Sequence, residues 1–491
     1  MSSYDLLVIG GGINGLGIAA DASARGLAVL LVEKGDFGAA TTAASSRLIH
    51  GGLRYLQYGE LSLVRESLHE RGLLVRQRPH LVRPIRLLIP ALSGAGPPSW
   101  KLHAGLKLYD LLARDSTFPH SRYLPRADVQ RLEPGLSTRG LQNGFLYSDG
   151  QIEFPERLCV ELMRETVAAG SEALNHTRVI SLRQQGDRVN GARLQNELTG
   201  QAWDVEARLV INAAGPWVDA VNRLLPTPPS RLIGGTWGTH VVLPPRPEGP
   251  RGHLYATAQR DGRPFFILPW DGRLLVGTTD VPFEGDPDRL AVQAWEVEYL
   301  LSETNRLFPG AGYAEGDVQH TTIGIRPLPA SDRAAGAITR RHFLVDHRQR
   351  HGISGLASVV GGKLTTYRSL AEEVVDWCCR ELGRPGLPCP TRALPVGSAL
   401  PETPGLSARS RQLYGPRAGE VERLLRQRPE FAALLLPNCS STVAEVVYAA
   451  QEERARTVDD VLRRRLLLLP VDPDLRAAVR RISEQWRLGL V

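Results

Sequence analysis

Three glycines, Gly10, Gly12 and Gly15, form a G-x-G-x-x-G run, and an acid, Glu33, follows eighteen residues after the last of them. At that spacing the first glycine permits a tight turn, and the second lets a pyrophosphate approach backbone N–H groups at a helix start. The third lets helix and strand pack closely, and Glu33 accepts hydrogen bonds from an adenosine ribose. The pattern marks a dinucleotide site and leaves FAD and NAD both open. A second glycine turn, Gly361-Gly362-Lys363-Leu364-Thr365-Thr366, opens a helix late in the chain, and an apolar run reaches Ala213-Ala214-Gly215. A cofactor held between such distant segments favours FAD. Near the first turn, Ser45-Ser46-Arg47-Leu48-Ile49-His50-Gly51-Gly52-Leu53-Arg54-Tyr55-Leu56 gathers hydroxyls, a histidine, a glycine pair and an Arg-Tyr pair. Such a segment can meet a pyrophosphate at one end and a flavin ring at the other.

The elements that must hold these groups are legible as patterns. Residues 6–9 and 28–32 are short apolar strands flanking a small-residue helix that runs to Ala24, the βαβ unit of a parallel sheet. Residues 36–60 read as a long loop and the start of a helix; 60–78, 100–114 and 156–169 have helical spacing. Between about 230 and 330, period-two runs such as Phe265-Phe266-Ile267-Leu268 and Leu274-Leu275-Val276-Gly277, with turns at Asp261-Gly262 and Asp271-Gly272, predict an antiparallel sheet. Six prolines in 383–405 predict a linker, and 406–491 reads as a separate all-α piece.

Composition bounds the function. A chain of 491 residues with 42% hydrophobic and 23% charged residues has material for two to four folded domains and is not globally disordered. No apolar run reaches the roughly 18–20 residues of a membrane helix. Five cysteines without a paired spacing fit a reducing, cytoplasmic setting, and the N-terminus begins at once with a strand pattern rather than a leader. The net charge of +7 is localised: residues 61–131 hold twelve Lys/Arg against five Asp/Glu. An anionic membrane surface or nucleic acid would answer such a face, but the stretch lacks a stacking platform or zinc spacing, which disfavours nucleic acid. Within it, Trp100-Lys101-Leu102-His103-Ala104-Gly105-Leu106-Lys107-Leu108-Tyr109 mixes apolar, aromatic and basic residues as an interfacial helix does. A helix packed on the core is the alternative.

Taken together, residues 45–56, Gly10, Asn14 and Gly15, Ala213 to Trp217, Gly277-Thr278-Thr279-Asp280, Gly324-Ile325-Arg326-Pro327-Leu328 and 361–368 resemble the FAD-dependent glycerol-3-phosphate dehydrogenases of the aerobic, quinone-linked type. Residues 455–465 resemble a stretch of that family's C-terminal domain. The resemblance implies an α/β fold: a Rossmann-like, glutathione-reductase-type FAD domain, an interleaved antiparallel-sheet substrate domain and a helical C-terminal domain. We place the FAD domain in 1–75, 145–220 and 340–385, the substrate domain in 76–144 and 221–339, the linker in 386–405 and the last domain in 406–491.

The implied reaction is oxidation of glycerol 3-phosphate to dihydroxyacetone phosphate, with electrons passed to quinone at the cytoplasmic membrane surface. A dioxygen-using oxidase and an FAD enzyme for amino or hydroxy acids are the alternatives, and a homodimer is left open. By resemblance Arg326 and Arg340 bind the phosphate, with Arg54, Tyr55 and Lys363 completing the pocket; Lys363 is one of only four lysines. For the proton, His50, His240 and Arg326-assisted loss to water all stay open. Cofactor contacts are implied at Gly10, Gly12, Asn14, Gly15, Glu33, Thr42, Ser45, Ser46, Arg47, Leu48, His50 and Gly51. Val179, Ala214, Gly215, Gly362, Lys363, Leu364 and Thr365 complete that set, and no metal is implied. The chain departs from the family where a Lys-Gly-Ser/Thr-His run becomes Gly234-Gly235-Thr236-Trp237-Gly238-Thr239-His240, and where Arg341 replaces a common acid.

Overall fold

A computed structural model describes residues 3–94, 96–113, 117–330, 341–393 and 403–491. The chain opens with β1 (Ser3–Ile9), α1 (Ile13–Ala24) and β2 (Val29–Val32). There follow β3 (Leu48–Ile49), α2 (Leu61–Gln77), β4 (Val82–Leu92), α3 (Ser99–Ala113), β5 (Arg122–Pro125), β6 (Leu141–Ile152) and α4 (Pro155–Ala168). Next come β7 (Glu172–Leu174), β8 (Thr177–Gln185), β9 (Arg188–Asn196) and β10 (Ala202–Asn212). The second half supplies β11 (Thr236–Leu243), β12 (His253–Thr257), β13 (Pro264–Trp270), β14 (Arg273–Gly277), β15 (Val281–Pro282) and α5 (Ala294–Leu307). It ends with β16 (His320–Arg326), β17 (Phe343–Asp346), β18 (Leu356–Val360) and α6 (Tyr367–Glu381).

The first sheet runs β17-β18-β10-β1-β2-β7, parallel from β18 to β7, with the β8–β9 hairpin joined to β10. Its strands are buried on both faces: α1, α4 and α6 cover one, and the hairpin and its apolar residues the other. Small side chains let α1 lie close to α6. A Cβ on Gly17 would stand 2.7 Å from the Tyr367 ring.

The second sheet runs β15-β11-β14-β13-β12-β4-β6-β3, with β16 on β11 and β5 on β6. One face packs on α5 through Val241, Val276 and Ile267; the other carries Val242, Leu275 and Leu268 against α2 and α3. Two boundaries expected from sequence need correction. β3 and residues 145–152 of β6, assigned to the FAD domain by the 1–75 and 145–220 limits, pair within the second sheet. Their alternating pattern shows a strand but not its neighbour, and β6 pairs with β4 along eleven positions. The described part of the 386–405 linker is also docked: Cys389 Sγ and Thr391 Oγ1 both bond Asp21 Oδ1 on α1 at 3.1 Å.

The last domain folds around its own core of Val421, Val447, Leu462 and Val479, with helices at Ala408–Tyr414, Ala418–Gln427, Val443–Gln451 and Pro473–Trp486. Phe154, just ahead of α4, is buried in that core. On α4 itself, Arg157 makes a two-point bond to Glu453 at 2.7 and 2.7 Å.

Candidate active site

The glycine run lies between β1 and α1, and its three glycines have separate jobs. Gly10 sits at φ +111°, and a Cβ there would stand 2.6 Å from Ala213 O. A Cβ on Gly15 would stand 1.9 Å from Gly10 O, so only glycine lets α1 approach the turn. Gly12, the N-cap of α1, has ordinary angles (φ −75°, ψ 177°), and its Cβ would meet only Thr42 Oγ1, at 3.7 Å. That open space before a helix N-terminus is the cradle an anionic diphosphate fills. Thr42 Oγ1 now accepts from Ile13 N–H at 3.2 Å, holding a hydroxyl where phosphate oxygens would sit.

A cavity of about 1040 Å³ extends from this turn. Gly10, Gly12, Asn14, Glu33, Thr42 and Ser45 line it from the first βαβ region. Val179, Ala214, Gly215, Gly362, Lys363 and Leu364 line it from later strands. Glu33 accepts from Gly11 N–H at 2.7 Å and Gly35 N–H at 2.8 Å, which fixes the carboxylate at the end of β2. Burial raises its pKa, and the two N–H donors oppose that rise. Asn14 Nδ2 donates to Gly361 O at 3.2 Å, while its Oδ1 is buried with no partner among the described residues. An orphaned acceptor, an open helix N-terminus and a carboxylate fixed at the end of β2 fit a flavin dinucleotide in this cavity.

The other cofactor residues implied from sequence lie off its walls. Ser46, His50, Gly51 and Thr365 are outside its lining; Thr365 Oγ1 accepts from His50 N–H at 3.1 Å and Gly51 N–H donates to Tyr109 OH at 2.8 Å. Arg47 and Leu48 turn their side chains inward. The Arg47 guanidinium is buried, forks onto Glu156 at 2.7 and 3.0 Å and stacks 4.4 Å from the Trp270 ring, so its charge is spent inside the protein. Leu48 belongs to the apolar core beside α2 and α3.

The second sheet presents a row across five strands. Tyr255 on β12 faces Phe266 on β13, Phe266 faces Gly277 on β14, Gly277 faces His240 on β11, and His240 faces Thr322 on β16. Residues directly opposite share a face, so these side chains stand on one surface. Gly277 makes the gap: a Cβ there would lie 2.4 Å from His240 Cδ2. Phe266 and His240 are thus two strand spacings apart, about 10 Å.

Around Phe266, His50 stacks edge-on at 6.4 Å and Tyr255 at 5.1 Å, while Lys363 Nζ lies 4.6 Å over the Tyr55 ring and donates to Ser67 Oγ at 2.8 Å. Arg54 is half-buried close by, where its charge is felt by Tyr255. Around His240, Ser46 Oγ lies 2.9 Å from Nε2, and Nδ1 is buried without a partner among the described residues. Burial, then the Arg326 and Arg47 guanidiniums, push the His240 pKa down to about 3. The imidazole is therefore neutral near pH 7.

Arg326 shares this face over Gly238, whose Cβ would lie 2.4 Å from Arg326 Nη2. Its Nη1 donates to Thr236 Oγ1 (3.2 Å) and Asp280 Oδ1 (3.1 Å), and its Nη2 to Thr278 Oγ1 and Thr279 O (both 3.1 Å). Arg340 lies outside the described residues. Sequence reasoning missed the roof of the cavity. There Asp288 accepts from Lys34 Nζ at 2.5 Å and from Trp217 Nε1 at 3.0 Å, joining β2 to a loop of the second domain. Trp217 closes a recognised motif, but its partner lies too far along the chain to be paired by pattern.

A family model described as FAD dependent oxidoreductase matches residues 5–368, and one described as the C-terminal domain of alpha-glycerophosphate oxidase matches 404–484. A glycerol-3-phosphate dehydrogenase of Synechocystis is 42% identical over 96% of this chain and 90% of that protein. The chain belongs to the FAD-dependent glycerol-3-phosphate dehydrogenase family. An aerobic glycerol-3-phosphate dehydrogenase of Escherichia coli K12, another family member, is 35% identical over 95% of this chain and 94% of its own. The solved glycerol-3-phosphate dehydrogenase of Bacillus halodurans, complexed with FAD, superposes with a TM-score of 0.75 at 27% identity, covering 99% of this chain and 91% of that one. The family's cofactor is FAD, and the chain has its α/β architecture with a helical C-terminal domain.

Proposed function

We propose that this chain oxidises the secondary alcohol of glycerol 3-phosphate to dihydroxyacetone phosphate and hands the electrons to a membrane quinone. The carrying observation is the row on the second sheet: an aromatic face at Tyr255 and Phe266, neutral His240 about 10 Å along the sheet, and Arg326 over Gly238 on the same face, with Lys363 over the Tyr55 ring. A small polyol phosphate needs cations for one end and a proton acceptor for the other.

When bound, FAD supplies the hydride acceptor. The chain supplies the rest. Arg326, with Arg340, is proposed to bind the phosphate, exchanging its Asp280 bond for a phosphate oxygen, while Arg54, Tyr55 and Lys363 complete the pocket toward Phe266. A proton on His240 would be buried beside two guanidiniums, which makes it a poor acceptor near neutrality. His50, held at its backbone by Thr365 and at its ring edge by Phe266, is the better placed base, and His240 with Ser46 orients.

The membrane reading has its own support. No described helix is long and apolar enough to cross a bilayer. On α3, Trp100 (73% exposed), Ala104, Leu108 (37%) and Leu111 (73%) form an exposed apolar stripe flanked by Lys101 and Lys107. Tyr123 (48% exposed) joins it through Phe145, on which His103 of α3 also stacks. We propose that this face rests on the cytoplasmic membrane surface.

The test is anaerobic: glycerol 3-phosphate should bleach the bound flavin and glycerol should not. A soluble quinone should then restore the colour and be reduced in equal amount. A flavin that stays oxidised refutes the substrate, and stoichiometric peroxide with dioxygen in place of quinone reduction would make the chain an oxidase.

A further inference from the structure

The loop after Glu33 is fastened from the far end of the chain. Asp36 lines the Glu33 end of the cavity, yet its side chain is wholly buried. Arg465 forks onto it, with Nη2 donating to Oδ1 at 3.0 Å and Nη1 to Oδ2. Arg464 bridges two carboxylates, donating Nε to Asp36 Oδ2 and Nη2 to Asp460 Oδ1 at 2.9 Å. Asn175 Nδ2 adds a bond to Asp36 Oδ1 at 2.9 Å. His176 Nε2 lies 2.8 Å from Asp460 Oδ2, while its backbone N–H donates to Gly35 O at 2.6 Å. Gly35 N–H in turn holds the Glu33 carboxylate. One short stretch of the C-terminal domain therefore ties both walls of the cavity, residues 33–36 and 175–177.

Ligand atoms of Asp36, His176 and Asp460 lie within 4.8 Å of one another. The two arginines already neutralise the carboxylates, so the cluster is an ion-pair network and not a metal centre. Burial alone would raise the Asp36 carboxyl, but Arg465 and Arg464 outweigh it and hold the group below the usual carboxylate range. A buried charge that loses its partner is strongly disfavoured, so the network admits one loop geometry.

We infer that the C-terminal domain is part of the cofactor site: Arg464, Arg465 and Asp460 are positioning residues that hold loop 33–36, and through it Glu33, in the geometry that binds FAD. They touch no cofactor themselves. The tie from Arg164 on α4 to Glu452 (2.6 Å) and Glu420 (3.0 Å) joins the same two domains without reaching this loop, which makes it the control.

Full-length apoprotein is titrated with FAD by quenching of flavin fluorescence, with melting followed in parallel by circular dichroism. Arg464→Gln and Asp460→Asn should raise the FAD Kd roughly 2- to 30-fold and shrink the rise in Tm that FAD produces. Arg464→Lys should recover most of the affinity, and Arg164→Gln should stay within about twofold of wild type on the same scale. An unchanged Kd in folded Arg464→Gln overturns the inference. An equal loss in Arg164→Gln overturns it too, because the effect would then be general domain stability. If Arg464→Gln does not fold, Arg464→Lys and Asp460→Asn decide by the same criteria.

Discussion

Replacing Gly12 with alanine should separate the stability of the fold from its affinity for FAD. The added Cβ meets nothing closer than Thr42 Oγ1 at 3.7 Å, and the backbone angles suit any residue. Alanine is a poorer N-cap than glycine but restricts the unfolded chain, so the apoprotein should change by no more than about 1 kcal/mol. The cost falls on the cofactor. A methyl group fills the space through which a diphosphate reaches the N–H groups at the start of α1. Weakening two charge-assisted hydrogen bonds, each worth about 1.5–3 kcal/mol, removes roughly 3–6 kcal/mol, or about 10²–10⁴-fold in Kd. Gly15→Ala is the counter-example: its Cβ would stand 1.9 Å from Gly10 O, so the turn itself fails. The assay is FAD titration of each apoprotein beside its melting curve. The reasoning is refuted if Gly12→Ala keeps FAD within about threefold of wild type, or if its apoprotein loses as much stability as Gly15→Ala.

Three further outcomes follow from the site and the surface. Arg326→Ala should lower kcat/KM for glycerol 3-phosphate by about 10- to 150-fold, the loss of one charge-assisted contact, with flavin content unchanged; loss of flavin would remove Arg326 from the phosphate pocket. His240 is held neutral, its folded pKa of about 3 lying below the ordinary value of 6.5, so the unfolded chain takes up its proton first as pH falls. Its contribution is complete above about pH 6.5 and shrinks by about 2 kcal/mol by pH 5, so His240→Asn should flatten the fall of stability between pH 6.5 and 4; an unchanged slope counts against the buried, neutral imidazole. Exchanging Lys101 and Lys107 for Glu should weaken sedimentation with anionic vesicles by at least about 30-fold, at roughly 1 kcal/mol per charge removed, and Trp100→Ser with Leu111→Ser should weaken it on neutral vesicles as well. Equal sedimentation of all variants would leave α3 without a lipid partner.

What could be read from sequence was local. The helix from Ile13 to Ala24 and the strands at its ends follow from small and apolar residues spaced along one short stretch, and Glu33 is tied to its glycines by a fixed spacing. The strands β13 and β14 follow from period-two runs around a turn. Register is not local. That Gly277 stands between Phe266 and His240 depends on how three strands slide past one another, and no single run contains it. Charge was harder still. In a chain with so many arginines, Arg47 in a signature loop looks like a ligand, and only the structure reveals Glu156 beneath it. Arg464 and Arg465 meet Asp36 across more than four hundred residues, so nothing near them in sequence marks them as partners of a buried carboxylate. The placement of β6 failed for the same reason: alternation shows a strand and is silent about its partner.

The cavity draws its walls from residue 10 and from residue 364, with much of the polypeptide in between. At about 5–20 residues per second, a ribosome needs roughly 20–70 s after making the glycine turn before the last wall leaves it. Until then the nascent chain carries half a nucleotide site beside unpaired parallel strands, and prosthetic-group loading has to await the segment at 361–364. Truncated products ending before Gly361 should therefore emerge colourless and be cleared by proteolysis, whatever the supply of flavin in the cell.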